Sequence, residues 1–369
     1  MTDRQPATGN RQPRIAIVGP VYPYRAGIAY CTTRLARELG ADVISFKRQY
    51  PKRFYPGGDD IDPTLPRANA AFVLDILNPL TWFRSLRQYD AVIFVWWIWV
   101  WAIPYRLMMM RANRVILQCH NIGEKEPAWW KRALANLVFR RADALVVHAS
   151  SEAEEARRRV ADFSRPAEAG PHTRVIQTFL PVHELGREIP SREEARRKLG
   201  LTGNVALFFG HIRPFKGLDI ALDAWKQLRT ADATLLVAGE PWWNARFDPQ
   251  PNVRFDLRFI PDSEIATYFA AADVVLAPYR SEAQSGVALT AFHFARPIIA
   301  TSVGGLPEII DGKNGILVPP EDAQALARAV DEFFTRRDRE AMERAAAESA
   351  RRYSWQEYGA IMRRLLNAQ

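Results

Sequence analysis

The sequence predicts an α/β protein of two domains, each a parallel β-sheet with helices on both faces. Three observations carry this. The chain has 369 residues, about twice the size of a typical domain of ~100–200. Short runs rich in Val, Ile and Phe alternate with amphipathic stretches, as strands buried on both faces do when helices separate them. One stretch, residues 180–203, breaks that alternation and divides the chain. Composition agrees: 48% hydrophobic and 25% charged residues suit a soluble globular protein with ample chain for sizeable cores.

Residues 1–13, MTDRQPATGNRQP, are polar and lack the apolar centre of a signal peptide; a frayed tail is expected there. The first domain is expected over 14–185. Its strands are Ile15–Val18, Val43–Phe46, Ala91–Val95, Val115–Gln118 and Ala144–Val147, with a helix over Thr32–Leu39. The longest uncharged apolar run, Ala91–Tyr105, holds 15 residues between Asp90 and Arg106, short of the ~20 that span a bilayer as a helix. Pro181 and Pro190 then mark a linker. The capping box Ser191-x-x-Glu194 starts a short helix that ends at Gly200.

The second domain is expected over 186–352. Its strands are Val205–Phe209, Leu235–Ala238, Val274–Ala277 and Ile298–Ala300. A helix over Pro320–Phe334 presents Leu326, Ala329, Val330, Phe333 and Phe334 on one stripe. The chain closes on a second capping box, Ser354-x-x-Glu357. Tyr358, Ile361, Met362, Leu365 and Leu366 follow on one face, so residues 353–369 form a helix that must pack elsewhere.

Charge is unevenly spread. Residues 1–185 hold 26 Lys and Arg against 17 Asp and Glu, and residues 186–369 hold 24 of each, so the net +9 lies in the first half. Such a half is drawn to an anionic partner, a membrane leaflet or a phosphorylated acceptor. Dispersed basic residues without a recognised module speak against nucleic acid. Two cysteines, Cys31 and Cys119, are too few for a disulfide framework and suit a reducing cytoplasm.

Four loops carry chemistry. Strand Val274–Ala277 delivers the chain to Ser281-Glu-Ala-Gln-Ser-Gly-Val, with a helix expected to begin near Ser285. A Ser-Gly pair at a helix start exposes backbone N–H groups, which suits a phosphate. Glu282 on that loop is placed to accept hydrogen bonds from sugar hydroxyls. Gly210-His-Ile-Arg-Pro-Phe-Lys-Gly217 follows a strand at its carboxyl end, where open α/β sheets bind ligands. Its Arg213 and Lys216 are cations for a pyrophosphate, stabilising charge that grows on a departing oxygen. Gly19-Pro-Val-Tyr-Pro-Tyr-Arg-Ala-Gly27 follows the first strand. It lacks GxGxxG, which disfavours a dinucleotide, yet Gly27 allows close backbone approach. Cys119-His120-Asn121 ends a further strand. Cys119 and His120 point to opposite faces, which argues against a thiol–imidazole dyad.

Together these motifs resemble a retaining glycosyltransferase of family 4. GHIRPFKGLDIALDAW is similar to that family's G-R-x-x-x-x-K-G pattern. EAQSGVALTAFHFARPIIATSVGGLPEII is similar to its E-x7-E region with the following G-x-P-E. HNIGE resembles the acceptor-side His-Asn loop and YPYRAGIAY the Gly-rich first loop. The resemblance covers roughly residues 14–366. It implies the GT-B arrangement of two Rossmann-like domains, acceptor domain first and donor domain second, with the last helix crossing back to the first. It implies a donor-phosphate role for Lys216, a donor-sugar role for Glu282, and diphosphate contacts from Ser285, Gly286, Val287 and Gly27. It sets His120 near the reacting carbon. Two positions depart from the pattern. Thr290 stands where the second glutamate grips the ribose, and His211 where an arginine follows Gly210; Arg213 is the nearby substitute.

The expected function is transfer of a sugar from a nucleotide-sugar donor to a saccharide or lipid-linked acceptor, with configuration retained. His120, Lys216 and Glu282 are the catalytic candidates. Gly27, Gly210, Arg213, Ser285, Gly286, Val287 and Thr290 complete donor binding. No cofactor or metal is expected: Asp60-Ile-Asp62 resembles a DxD motif but reads as loop composition among Pro and Gly. The run Val95-Trp-Trp-Ile-Trp-Val-Trp101 reads either as a strand end with a buried loop, or as an aromatic surface for an acceptor or a membrane interface. A cytoplasmic protein, peripheral on the inner membrane face, is expected. Two rivals stay open: a sugar-nucleotide epimerase of the same fold, and a binding protein whose donor site Thr290 has weakened.

Overall fold

In a computed structural model, the residues described are 13–25, 27–50, 61–122, 128–163, 173–185, 188–242, 247–282, 284–335 and 337–368. Residues 1–12 of the expected tail, Asp60 and the end of the HNIGE loop lie outside them.

The apolar runs become strands because both their faces are covered. In β4 (Ala91–Trp96) and β11 (Val274–Ala277) every residue is buried. The first sheet joins β1 (Ile15–Val18), β2 (Asp42–Arg48), β3 (Ala71–Asp75), β4, β5 (Val115–Cys119), β6 (Ala144–Val147) and β7 (Arg174–Gln177). The second joins β8 (Asn204–Phe209), β9 (Ala233–Ala238), β10 (Val253–Asp256), β11, β12 (Ile298–Thr301) and β13 (Gly315–Val318). Strand order is β3-β2-β1-β4-β5-β6-β7 in one and β10-β9-β8-β11-β12-β13 in the other. Pairing is parallel: Ile17 faces Val43 and Ile93, and Leu207 faces Leu236 and Val275. Both sheets reverse direction of growth at their first strand, so a crevice opens at the carboxyl ends of β1 and β4 and of β8 and β11.

The helices are α1 (Gly27–Leu39), α2 (Ala102–Met109), α3 (Trp129–Phe139), α4 (Ser150–Phe163), α5 (Arg192–Leu199), α6 (Leu218–Trp225), α7 (Asp262–Ala271), α8 (Gly286–His293), α9 (Leu306–Ile309), α10 (Ala323–Thr335), α11 (Arg339–Arg352) and α12 (Trp355–Asn367). Helix α1 starts five residues before the expected Thr32, because Gly27 and the small or apolar residues after it continue the first turn. The linker helix α5 is capped as the sequence predicts, by the Ser191 side chain on Glu194 N and by left-handed Gly200. It packs on α7.

Helix α12 crosses back onto the first sheet's helices. It packs against α1, and Arg363 donates to Glu38 O at 2.8 Å. Arg114 donates to the carbonyls of Leu366 and Leu365, both at 2.8 Å, satisfying last-turn acceptors that have no partner inside the helix. Gln118 Nε2 donates to the Tyr358 hydroxyl at 3.0 Å. One continuous core contains Ile17 and Val95 of the first sheet, Leu207 and Val275 of the second, and Trp355 and Tyr358 of α12. Arg114→Ala should therefore lower unfolding free energy by about 2 kcal/mol, two charge-assisted hydrogen bonds being lost. Denaturant titration with an unchanged m-value would show it; no shift in midpoint would mean that the crossing helix does not depend on this clamp.

Candidate active site

The crevice between the sheets holds a cavity of about 420 Å³, a volume ordinary for small-ligand sites. Loops after β1, β5, β8, β9 and β11 line it. Gly27, His120, Gly210, Arg213, Lys216, Glu282, Gly286, Val287 and Thr290 all reach its wall, whereas Ser285 does not.

Lys216 ends a 3-10 turn, Pro214–Lys216, that closes on Gly217 at φ 69°. A methyl group on Gly217 would lie 2.0 Å from Pro278 O, so the turn needs glycine both for its backbone and for its close approach. The turn aims Lys216 Nζ at Glu282 Oε2, 2.6 Å away, and over the Tyr279 ring at 3.8 Å. Burial works against the ammonium charge, but Tyr279 and Glu282 outweigh it and raise the Lys216 pKa. The cation is therefore fixed, desolvated and held beside a carboxylate.

Arg213 stacks on Trp242, its guanidinium 3.4 Å from the ring centroid. Trp242 Nε1 donates to His211 Nδ1 at 2.9 Å. Burial, with Arg213, Lys216 and Arg25 nearby, pushes the His211 pKa down to about 4. His211 is thus neutral, with its remaining ring proton on Nε2. The expected arginine after Gly210 is replaced by a hydrogen-bond donor without charge, and the guanidinium stands two residues on.

Helix α8 opens at this wall. Ser285 is its N-cap, accepting from Ala288 N at 3.2 Å, and it is buried beside the Tyr279 hydroxyl. Its side chain fixes the helix start; Gly286 and Val287 present the backbone to the cavity. Thr290 lies one turn on and donates to Gly286 O at 2.7 Å, which commits its proton to its own helix.

His183, from the linker, has no counterpart among the sequence expectations. It is 7% exposed and wedges between the starts of α1 and α8. A methyl on Gly27 would stand 2.9 Å from His183 Cε1, and one on Gly286 2.7 Å. The two glycines thus make room for one imidazole. Its Nε2 lies 3.4 Å from Cys31 Sγ. Burial lowers the His183 pKa to about 4 and raises the Cys31 thiol to about 12, so this is a neutral pair, not an activated nucleophile. Only the place of a histidine in a linker hints at it.

His120 sits on the loop after β5, anchored by its N–H to Trp96 O at 2.9 Å. Burial lowers its pKa to about 4, and its ring lies 5.3 Å from that of His148. Behind them Glu152 accepts from the backbone N–H groups of His148 and Ile122, pinning the β5 and β6 loops together. Burial pushes Glu152 up to about 7, and Glu282 and Glu308 add to that. Contacts bridge the crevice. Glu308 accepts from Ser150 N and Oγ at 2.9 and 2.6 Å. Gln284 Nε2 donates to His148 O. The Tyr22 hydroxyl donates to Asp262 at 2.8 Å, and Arg25 lies over Phe259 at 4.2 Å.

Among the described residues no three His, Cys, Asp or Glu are placed to hold a metal ion. Asp62 is buried and accepts from Thr64 N and Oγ1. The tryptophan run lines no part of this cavity: Trp101 is buried and donates to Gln49 O, and Trp97 donates to the Tyr50 hydroxyl. It runs from the strand end through half-buried residues 97–100 to buried Trp101, with Trp99 edge-on to Trp130.

The loop after β8, the cradle at α8 and the strands that carry them match the family model described as "Glycosyl transferases group 1", over residues 203–336. Over this stretch the chain is similar to the group 1 glycosyl transferases. The matched stretch contains Gly210, Arg213, Lys216, Glu282, Gly286, Val287 and Thr290. A D-inositol 3-phosphate glycosyltransferase of Saccharomonospora viridis is 34% identical over 242 residues, 59% of this chain and 54% of that protein. The chain thus matches about half the length of that relative. Sucrose-phosphate synthase of Thermosynechococcus elongatus superposes with a TM-score of 0.70 at 18% identity, covering 95% of this chain and 98% of the other. Anabaena HepE in complex with UDP superposes at 0.70 and 18%, covering 96% and 100%. These likenesses establish the GT-B fold, and the stretch similar to group 1 glycosyl transferases lies in its second half.

Proposed function

We propose that the protein transfers a sugar from a nucleotide-sugar donor to an acceptor hydroxyl with retained configuration. One observation carries this: the Lys216–Glu282 pair, the Arg213 guanidinium and the glycine starts of α1 and α8 all face one cavity. Positive charge beside paired helix starts suits a diphosphate, and the carboxylate of Glu282 suits sugar hydroxyls. In support, the relatives include a glycosyltransferase named for an anionic acceptor, and structures of HepE hold UDP and UDP-glucose.

The anomeric C–O bond to the diphosphate breaks as the acceptor oxygen bonds to the same carbon on the same face. The acceptor proton passes to the departing phosphate oxygen. Lys216 and Arg213 stabilise the charge that grows there, so the proposal calls on no metal or other cofactor. His120, neutral at pH 7, orients the sugar or the acceptor. Gly210 and Val287 shape the donor wall, and Thr290 meets the ribose without the grip of a carboxylate. We assign residues 14–185 to the acceptor, 186–352 to the donor and 353–369 to the clasp between them. The acceptor we favour is lipid-linked and held at the inner face of a membrane by a cytoplasmic protein. No helix among the described residues is long and apolar enough to cross a membrane.

A second reading, donor binding without turnover, draws on Thr290. A thermal-shift series with UDP, GDP, ADP and CMP tests the first half of both. One nucleotide should raise the melting temperature of the wild type and not of Lys216→Ala. No shift with any of them would remove the transferase reading; a shift without sugar transfer from the matching donor would favour the second.

A further inference from the structure

Helix α2 turns a mostly apolar outer face to water, with Arg106 its one charged residue. Ala102, Tyr105, Met108 and Met109 are buried beneath it. Ile103, Leu107 and Met110, spaced i, i+4, i+7, form its outer stripe; Ile103 is 51% and Met110 50% exposed. A surface helix normally reserves that face for polar residues. Its neighbours repeat the anomaly. The 3-10 turn Pro79–Phe83 packs on one flank and α3 on the other. Leu80 is 81% exposed on the turn, and Trp129 82% on α3. Eight of the eleven large hydrophobic residues exposed among the described residues lie between positions 77 and 137. Scattered exposed apolar residues need no explanation, but such a concentration does.

Cations accompany this patch. Arg111 lies 5.1 Å over Phe83, and Lys131 5.7 Å over Trp130. Arg84 and Arg87 are exposed beside the turn. Residues 76–142 hold ten Lys and Arg against three acids, Asp90, Glu124 and Glu126, so most of the basic excess of the first half lies in the stretch that builds this face. Exposed Trp and Leu side chains among Arg and Lys are the chemistry of a bilayer interface, where rings and aliphatic tips enter the headgroup region and cations meet phosphate.

We propose that the face formed by the turn 79–83, α2 and α3 docks on an anionic lipid bilayer. It deepens the proposed use of a membrane-held acceptor and rests on that reading for its purpose, though not for its test.

The test is flotation with vesicles of phosphatidylcholine alone and of phosphatidylcholine with phosphatidylglycerol, at low and high salt. The full chain should float with the anionic vesicles, at least about tenfold more tightly than with the neutral ones, and salt should weaken it. The pair Ile103→Ser with Met110→Ser, and separately Arg84→Glu with Arg87→Glu, should each lose roughly tenfold or more. All four side chains are exposed, so the nucleotide-induced thermal shift should stay as in the wild type. Should the serine pair fail to fold, the glutamate pair decides alone. No flotation on either vesicle, or equal binding to both, overturns the proposal. So does a concentration-dependent dimer that Ile103→Ser dissolves, since a second copy then covers the face. Flotation without any nucleotide response would instead count against the transferase reading and leave this one standing.

Discussion

Lys216→Ala should lower kcat/KM by roughly two to three orders of magnitude, most of it in kcat. The argument rests on where the charge is held. Lys216 Nζ is 2.6 Å from Glu282 Oε2 and packed over Tyr279, the two charged side chains only 16% and 14% exposed. A cation already positioned there needs no reorganisation when charge appears on the leaving phosphate. Its attraction to that oxygen grows as the bond breaks, so the transition state gains more than the ground state. Lys216→Arg should not restore the rate: a longer, planar guanidinium places its charge differently from an ammonium held over Tyr279 and against Glu282. Glu282→Gln gives the contrast. It keeps the cation and weakens the hold on donor hydroxyls, so KM should rise more than kcat falls. Steady-state kinetics with the donor found by thermal shift separate the two. A loss of less than tenfold for Lys216→Ala would mean that the departing phosphate is stabilised elsewhere, with Arg213 next to be tested.

The strands that the sequence predicts are the interior ones, and the four it misses are β3, β7, β10 and β13, each at the edge of its sheet. The reason is physical. An interior parallel strand is covered on both faces and between two neighbours, so it reads as an unbroken apolar run. An edge strand such as β7, whose four residues are exposed or half-buried, carries Arg174 and Gln177 and blends into the loops around it. The site divides the same way. Lys216, Glu282 and Gly286 are legible because each stands in a short motif directly after a strand, and a strand end in a doubly wound sheet points into the crevice. His183 is not legible. Its role comes from two glycines, at positions 27 and 286, that only folding brings to either side of its ring. Glu152 is hidden for a similar reason: it acts on backbone N–H groups of two different loops, at His148 and Ile122, and no sequence spacing encodes that.

Acid should destabilise this protein steeply between pH 6.5 and 4, above the range where ordinary carboxylates titrate. Burial lowers the pKa of His120, His183 and His211 to about 4, and that of His148 well below its usual value. In the unfolded chain these rings take up protons near pH 6.5, while the native state keeps them neutral until about pH 4. The unfolded state therefore binds more protons across that window, and stability falls as pH falls through it. Their contribution is complete above pH 6.5. For His183, 7% exposed, the displacement from 6.5 to about 4 corresponds to roughly 3 kcal/mol at about 1.4 kcal/mol per unit. Glu152 and Asp262 pull the other way. Their raised pKa values mean that the native state holds protons the unfolded chain releases, so their contribution grows as pH falls. Five lowered rings, His293 among them, against two carboxyls leave the histidines dominant, and even part of that sum is large beside a typical total of ~5–15 kcal/mol. His183→Gln keeps a polar side chain between the two glycines and cannot titrate. It should flatten the slope of melting temperature against pH across this window, whatever it does to stability at pH 8. Melting temperatures at half-unit steps from pH 8 to 4 would decide. A wild-type curve that is level or rises toward pH 4.5 would mean that the rings take up protons inside the fold, and that the crevice is wetter than its packing implies.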